Sequence, residues 1–321
     1  MDRLRIHLRY RLLNKTKSVI DVKKSNTYFL QGMLFLIFAQ IMVGINIVFS
    51  KYVLSSIPIL SILALRFSLA AVILLLLHWL TPAKKLPVYS YFLQLKRRDW
   101  FFIFAQALSA GVLFNFLILW GLQYTDANVA GIITSALPAI IAIMSWIILG
   151  EKISGKKAIC VGFATLGLVV IACDKLSDIN VSHSFFGDAL VLTSLLPEAM
   201  YYILSKMHVN SLPVFLISSL LNGINAILLL FCLGFSTWDS FTIHTLDWLI
   251  LIILGLSSGL FYVFWYFGCQ KVDGVMASLS TAVMPLATVI IAWILLGEEL
   301  TMGQIIGMGM VILSITAYAK R

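Results

Sequence analysis

The chain has 321 residues, of which 61% are hydrophobic and only 12% are charged, and its mean hydropathy is +1.00. A soluble globular domain does not need so much apolar surface for its core, so the composition excludes a water-soluble protein and indicates one that lives in lipid. The formal net charge of +9 could suggest a nucleic-acid partner, but the cations lie mainly in the segments between apolar runs, where membrane topology accounts for them.

Residues 1–28 form a basic segment before the first apolar run. The stretch RLRIHLRYRLLNK could form a helix on anionic lipid headgroups, but a solvated cytoplasmic tail that sets the topology is the preferred interpretation. The apolar run that follows is too long for the core of a signal peptide, and no small-residue cleavage site follows it. We therefore expect this run to be retained as the first membrane span.

Ten apolar runs are long enough to cross a bilayer as helices, which takes about 20 residues each. They predict an all-α polytopic membrane protein with ten transmembrane helices. Lysine and arginine concentrate in the segments that lie inside if the N-terminus is inside, so we expect both termini in the cytoplasm and the protein in the plasma membrane. The runs cover residues 29–50, 57–80, 101–122, 127–149, 156–173, 185–205, 211–235, 247–269, 274–296 and 302–319.

The fourth and ninth spans contain closely similar sequences, PAIIAIMSWIILGEK from Pro138 and PLATVIIAWILLGEE from Pro285. A shift of 147 residues extends this match without a gap over residues 121–162, and a shift of 155 aligns the earlier spans. Residues 29–173 and 185–319 are therefore two copies of one five-helix unit. Because five is odd, the second copy crosses the membrane in the opposite sense, which predicts an inverted repeat. The third and eighth spans begin with matching pairs, Asp99-Trp100 and Asp247-Trp248.

Positions shared by the two copies predict where helices bend and end. Pro138 and Pro285 each remove a backbone hydrogen bond, so both should bend a helix within the membrane. Gly150 and Gly297 suit helix C-termini, where a left-handed residue ends the hydrogen-bond ladder at little cost. We therefore expect these residues to have structural roles first, and a role in substrate binding only second.

Several motifs resemble the EamA branch of the drug/metabolite transporter superfamily. They are LGEKISGKKAICVGFATLGLVV and LGEELTMGQIIGMGMVILSI, the pattern G-x-N-x-x-x-S-K from Gly44 to Lys51, Arg66 in the following helix, and GDALVLTSLLPEAMYYILSK. The likeness extends over residues 29–319. It implies ten helices in two inverted repeats, with helices one to four and six to nine around a central cavity, and movement of small metabolites by alternating access. The family is broad in its substrates, so the resemblance does not name the cargo.

Arg66 and Glu198 are charged residues inside predicted spans, where a charge is costly and marks either a functional group or a buried tie. Their depths in the membrane differ by about 5 Å at 1.5 Å per helical residue. The family usually carries an aromatic residue where this chain has Glu198. Two roles stay open for the pair. Arg66 could hold a substrate carboxylate while Glu198 binds an amino group or carries a coupling proton, or the two side chains could only neutralise each other.

Other polar and aromatic residues of the spans complete the candidate substrate site. Converging amides, hydroxyls and rings fit a small polar or zwitterionic solute, whose amine could also lie over a ring face. The alternative is hydrogen bonding between helices, which uses the same residue types. These candidates are Tyr201, Tyr202, Asn222, Asn225, Tyr262, Trp265, Tyr266 and Thr281, with Gln40, Asn46 and Asn115 as weaker ones from the first half.

The sequence favours a secondary transporter for a small polar metabolite, which we expect to be an amino acid or a related zwitterion. We do not expect an enzyme. No nucleotide-binding G-x-x-x-x-G-K-[ST] or hydrolase motif occurs, no C-x-x-C pair suggests a metal site, and no cofactor is expected. A sugar-phosphate or nucleotide exchanger of the same superfamily would need several cavity cations, and a polytopic membrane enzyme would need a reactive cluster. A subunit without flux is a further alternative. Small-residue steps at Gly303 and Gly307 and at Ala158 and Gly162 serve packing within the protomer or a homodimer.

Overall fold

A computed structural model of the chain describes residues 2–150, 155, 158–160, 162–163, 165–167, 170, 184–207, 212–235, 244–272, 277, 279–297 and 300–319, and only the backbone of residues 2–27. All regular secondary structure in the described part is helical, which confirms the all-α class. In chain order the helices are α1 (Asp2–Val53), α2 (Ile59–Trp79), α3 (Val88–Leu93), α4 (Arg97–Gln106), α5 (Phe114–Leu122), α6 (Ala127–Ile133), α7 (Leu137–Leu149), α8 (Phe185–Met207), α9 (Val214–Gly234), α10 (Thr245–Cys269), α11 (Val283–Leu296) and α12 (Met302–Ala319).

Many of these helices are long and apolar enough to belong in a membrane, so the protein is polytopic. Shorter apolar helices include α7 and α11, which are the second parts of interrupted spans. Helix α8 has the length of a span, but it carries Asp188, Glu198 and Lys206. The stretches that meet the requirements of a span by length and composition are Tyr28–Val53, Ile59–Trp79, Arg97–Leu122, Val214–Gly234 and Thr245–Cys269.

The backbone of the basic N-terminal segment is helical. Helix α1 begins at Asp2 and continues without interruption through the first predicted span to Val53. The reason lies in the residues, because neither proline nor glycine occurs before Gly32 and the segment is rich in Leu, Arg and Lys, which favour helix.

Three predicted spans are interrupted inside the membrane. The third is built from α4, a π-helical segment (Ala107–Leu113) and α5. The fourth is broken by a short 3₁₀ turn (Thr134–Ala136), and Pro138 lies in the first turn of α7, where its missing N–H costs no helical bond. The prolines therefore mark the start of a new helix, a sharper change than the bend expected from the sequence. In the ninth span a turn at residues 281–282 precedes α11, which contains Pro285.

Glycines end α7 and α11 as the repeat predicts. Gly150 follows α7 with φ of 65°, and Gly297 follows α11 with φ of 69°. Both lie in the left-handed region, where a side chain would add strain. Equivalent helices of the two copies therefore end at a glycine in the same left-handed conformation.

Equivalent helices of the two copies each pack against helices of the opposite copy. Helix α1 packs against α10 and α11 of the second copy, and its mate α8 packs against α5 and α7 of the first. Each exchange passes through a close glycine contact. A Cβ added to Gly268 would lie 3.1 Å from the carbonyl oxygen of Gly32, and one added to Gly121 would lie 2.9 Å from that of Gly187. These are the glycines that the two sequence shifts superpose.

The fifth predicted span, residues 156–173, lies mostly outside the described residues. Its described part packs against α12. Ser314 Oγ donates to the carbonyl oxygen of Cys160 at 2.6 Å, and a Cβ added to Gly167 would lie 2.8 Å from the carbonyl oxygen of Gly307. One of the predicted small-residue steps is therefore used inside the protomer.

Candidate functional site

Arg66 is the centre of a buried hydrogen-bond network between α1, α2 and α5. Its side chain is 1% exposed and lies in the outer half of α2, where outer and inner refer to the orientation expected from the sequence. Arg66 Nη1 donates to Asn46 Oδ1 at 3.2 Å and to Ser50 Oγ at 3.4 Å, and Nη2 donates to Asn115 Oδ1. All these acceptors are neutral. The network holds the guanidinium in place without cancelling its charge.

Two of the five N–H donors of Arg66 stay uncommitted by these bonds. Nη1 uses both of its hydrogens and Nη2 uses one, and Nε has no hydrogen-bond partner among the described residues. Nε and the second Nη2 hydrogen are the donors with which a guanidinium grips a carboxylate in a forked pair. Arg66 is therefore held by one part of its guanidinium and retains donors for an anion.

Asn46 and Asn115 position Arg66 more than they face a ligand. Asn46 Nδ2 donates to the carbonyl oxygen of Met42 and to Ser257 Oγ, both at 2.9 Å, and its Oδ1 also accepts from Ser258 Oγ at 2.9 Å. With the bond from Arg66, the hydrogen-bonding capacity of the Asn46 amide is filled. Asn115 Nδ2 donates to two carbonyl oxygens of the π-helical segment, Ala110 at 2.6 Å and Gly111 at 2.7 Å.

Glu198 lies across from this network on α8. It follows Pro197, which removes one backbone hydrogen bond of α8 at this level and loosens the ladder there. The carboxyl group is 1% exposed, and its Oε2 has no hydrogen-bond partner in the described part of the chain. The Tyr202 hydroxyl lies one turn further along α8 and accepts a bond of 3.3 Å from Gln40 Nε2. One carboxyl oxygen therefore stays open.

Arg66 and Glu198 line one cavity, and these two described side chains form no ion pair with each other. The cavity has a volume of about 30 Å³, well below the roughly 300–1,000 Å³ of ligand pockets. The site is contracted in this conformation, and a metabolite needs it to widen. The lining is Val43, Asn46, Arg66, Phe67, Ala110, Phe114, Asn115, Glu198, Ser258, Phe261 and Tyr262.

An aromatic cluster lies on the inner side of the cavity. The Tyr202 and Trp265 rings meet edge to face with centroids 4.3 Å apart, and Tyr201 contacts the Tyr262 ring at 5.6 Å. Phe261 stacks on Trp265 at 6.4 Å. The cluster joins α8 to α10, and with the Gln40 bond it connects the two sequence copies below the charged pair. Tyr201 OH and Trp265 Nε1 are buried and have no hydrogen-bond partner within the described residues.

Eight predicted site residues lie outside the cavity lining: Gln40, Tyr201, Tyr202 and Trp265, which belong to the aromatic cluster or bond to it, and also Asn222, Asn225, Tyr266 and Thr281. Tyr266 donates to Gln106 Oε1 at 2.9 Å, which bridges α10 and α4 on the inner side. Asn222 donates to the carbonyl oxygen of Ser218 one turn earlier on α9 at 2.7 Å. Asn225 is pressed against the backbone of Gly111, and Thr281 is fully buried at the turn before α11.

Sequence reasoning missed several residues that build the site. Gln106, Ser257 and Gly111 hold candidate residues in place or make room for them, and nothing in their local sequence distinguishes them from packing residues. One signal was available for the π-helical segment. From Trp100 to Gly121 the third span has one residue more than the eighth has from Trp248 to Gly268, and a π-helical turn absorbs one extra residue.

Clusters of three or more His, Cys, Asp or Glu side chains suited to a metal ion are not found among the described residues. The site consists instead of one cation, one carboxyl group, neutral amides and hydroxyls, and aromatic rings.

Comparisons with known proteins agree with this architecture. A model of the EamA-like transporter family matches residues 30–173 and again residues 185–319. The chain is 29% identical over 284 residues to the uncharacterized transporter YetK of Bacillus subtilis, a match that covers 85% of this chain and 82% of that protein. It is 27% identical over 240 residues to an uncharacterized transporter of Archaeoglobus fulgidus, with 71% of this chain and 80% of that protein covered. A solved crystal structure superposes with a TM-score of 0.69 at 15% identity and covers 91% of this chain and 96% of that chain, which shows a common fold.

Proposed function

Because the chain belongs to the EamA-like transporter family, we propose that it is a secondary transporter that moves an amino acid or a related zwitterion by alternating access. The observation that carries the proposal is the placement of Arg66 and Glu198 on one buried cavity without an ion pair between them. The uncommitted donors of Arg66 suit a substrate carboxylate, and the open oxygen of Glu198 suits an ammonium group. A zwitterion presents both groups on one small molecule.

The contracted cavity supports movement between states. A cavity of about 30 Å³ is far smaller than a typical ligand pocket, so binding of an amino acid requires the two copies to separate on one side. Side-chain bridges between the copies, Gln40 with Tyr202 and Gln106 with Tyr266, would part on the inner side. On the outer side, Lys51 Nζ donates to the carbonyl oxygens of Leu122 and Thr125 at 2.7 and 2.8 Å, a contact within the first copy that connects the ends of α1 and α5.

The cavity favours a zwitterion over a sugar phosphate. A phosphate ester brings about two negative charges, and Arg66 is the one cation in the lining that the structure describes, with Glu198 opposing any anion beside it. We also propose that the protein lies in the plasma membrane with both termini in the cytoplasm, as the distribution of Lys and Arg indicates.

Replacing Arg66 by Lys tests the carboxylate half of the site. Lysine keeps the positive charge but loses the forked donor geometry, so substrate affinity should fall by about 10- to 150-fold, which corresponds to about 1.5–3 kcal/mol for a hydrogen bond to a charged group. The measurement is initial uptake of a panel of radiolabelled amino acids into proteoliposomes.

The matched control is Arg98→Lys, which makes the same change at an exposed residue of α4 and should leave uptake unchanged. Uptake by the Arg66→Lys protein equal to that of the wild type, at concentrations below saturation, would remove Arg66 from the substrate site. A wild-type protein that moves no member of the panel would contradict the proposed function itself.

A further inference from the structure

We propose that Arg66 and Glu198 impose a charge rule on transport, under which the cargo and any proton that travels with it must together carry no net charge. The inference rests on the proposed function and extends it from one solute to the charge classes that the site accepts. It makes Glu198 the residue that determines specificity between zwitterions and anions.

The net charge of the cavity depends on Glu198 and on the groups that face it. The charged and titratable ones are Tyr202 on its own helix, Arg66 from α2 and Tyr262 from α10. Helices α1 and α5 contribute only neutral amides toward the cavity, from Asn46 and Asn115. Tyrosine hydroxyls stay neutral at physiological pH, so the charge of the cavity is set by Arg66 and Glu198 alone among the described residues that line it.

Only one member of this pair can change its charge. A guanidinium stays protonated in proteins, and Arg66 is surrounded by neutral acceptors that leave its charge uncompensated. Glu198 can be a carboxylate or a carboxylic acid. An unbalanced charge in a closed site within a membrane is costly, so the state of Glu198 must follow the charge of the cargo.

Three classes of solute then have different fates. A zwitterion binds Arg66 through its carboxylate and ionised Glu198 through its ammonium group, and the total charge stays zero without a proton. A monoanion leaves the site balanced only when Glu198 takes up one proton. A cation raises the total to one positive charge even when Glu198 is ionised, because the charge of Arg66 is fixed, so the cation is excluded.

The proton step changes no bond of the cargo. When the anion enters, a hydronium ion of the solution on the open side transfers its proton to the unpartnered Oε2 of Glu198, which forms an O–H bond there and leaves a water molecule. After the two copies rock, the anion and that proton leave to the opposite side, and the carboxylate again balances Arg66. The cycle therefore moves one anion together with one proton and requires no oxidant, reductant or metal.

Three matched solutes test the rule in proteoliposomes that contain the wild-type protein. They are a labelled amino acid that the protein transports, its 2-hydroxy acid analogue as the monoanion, and its carboxamide as the cation. Initial rates are measured relative to protein-free liposomes, under an imposed pH gradient or an imposed membrane potential. Uptake of the amino acid should respond to neither, uptake of the hydroxy acid should rise with an inward proton gradient, and flux of the amide should equal that of protein-free liposomes.

The variant Glu198→Gln keeps the size of the side chain but fixes it neutral. It should lose uptake of the amino acid down to the protein-free level, while exchange of labelled for unlabelled hydroxy acid continues and no longer responds to the pH gradient. The variant Glu198→Asp keeps a titratable carboxyl group and should retain the wild-type pattern at a lower rate. If Glu198 had only a structural role, its replacement would lower transport of both solutes together. It would not remove uptake of the amino acid while exchange of the hydroxy acid continues.

The rule is overturned by flux of the amide through the wild type, by a wild type that does not move the hydroxy acid under an inward proton gradient, or by amino-acid uptake that responds to the membrane potential. It is equally overturned if the folded Glu198→Gln protein still transports the amino acid, or if it exchanges no hydroxy acid. These results differ from failure of the proposed function, in which the wild type moves none of the solutes.

Discussion

The guanidinium of Arg66 shows how a single residue can be held rigidly and remain available. A purely structural arginine in a membrane protein would be expected to bond to a carboxylate, since both charges then leave water together. Arg66 instead bonds to two amides and a hydroxyl, and Glu198 lies across the cavity beyond ion-pair distance. The neutral partners fix the orientation of Arg66 before a substrate arrives, which lowers the cost of binding.

Asn225 and Gly111 form a second residue-scale contact behind the site. A Cβ at Gly111 would overlap the side-chain amide of Asn225, so this position of the π-helical segment has no space for a methyl group. The same segment supplies the carbonyl oxygens that orient Asn115. The packing of Asn225 is therefore connected through Gly111 and Asn115 to the position of Arg66.

We expect Gly111→Ala to destabilise the protein by about 1–3 kcal/mol, the usual cost of overpacking a filled site. Combining it with Asn225→Ala should recover part of this loss, because the smaller side chain leaves room for the new methyl group. Gly223→Ala is the matched control, since its Cβ would lie 3.9 Å from that of Ala71 in ordinary contact. Thermal unfolding of the purified proteins measures the effect, and an unchanged unfolding temperature for Gly111→Ala would contradict the contact.

At this scale the sequence singles out the charged pair, and it names Asn46 and Asn115 only as weaker substrate candidates and not as hydrogen-bond partners of Arg66. Arg66 and Glu198 stand out because charges are rare inside spans. The roles of Asn46 and Asn115 depend on which acceptors lie within about 3 Å of the guanidinium, and that distance is set by how helices from both copies pack. Sequence periodicity places a residue on a helix face but does not say which neighbour fills its hydrogen bonds.

The interrupted third span shows how an element can differ between two copies that are otherwise alike. The π-helical segment Ala107–Leu113 absorbs one residue that the mate α10 lacks, and the ends of the span keep equivalent positions. Its loosened carbonyl oxygens bond to Asn115, which in turn accepts from Arg66. A one-residue insertion thus separates a site-forming helix from its regular counterpart.

Deleting Val112 should convert the π-helical segment to regular α-helix without unfolding the protein. The shortened helix then has the spacing that α10 already has, so both ends can keep their contacts, but Asn115 loses its carbonyl partners and transport should be lost. Deleting Leu260, a half-buried residue at the corresponding level of α10, is the control and should unfold or strongly destabilise the protein because α10 has no extra residue to give up. Circular dichroism, thermal unfolding and uptake distinguish the two, and wild-type transport after the Val112 deletion would contradict the assigned role.

The fourth and ninth spans show what proline predicts about an element. Pro138 and Pro285 indicated a local loss of backbone bonding, which is what proline chemistry determines. The structure goes further, because a turn separates two helices in each span and the proline lies near the start of the second. Whether a proline bends a helix or begins a new one depends on packing around the freed carbonyl groups, which the local sequence does not contain.

At the scale of the whole molecule, the two copies exchange helices around one cavity. The glycine contacts of Gly32 with Gly268 and of Gly187 with Gly121 repeat the same crossing in each copy. The repeated sequence made this arrangement predictable, since superposed glycines indicate superposed helix crossings. The charged site was less predictable, because Arg66 and Glu198 occupy positions that do not correspond between the copies.

The central claim is that Arg66 and Glu198 bind cargo instead of only neutralising each other, and the double variant Arg66→Met with Glu198→Met tests it most directly. Replacing both charges by apolar side chains of similar length removes the cost of burying either one alone, so the double variant should fold at least as stably as each single variant. The decisive measurement is its initial uptake of the labelled amino acid into proteoliposomes. We predict a folded protein whose uptake equals that of protein-free liposomes, whereas uptake restored to near the wild-type rate would show that the pair is a structural tie and would contradict the claim.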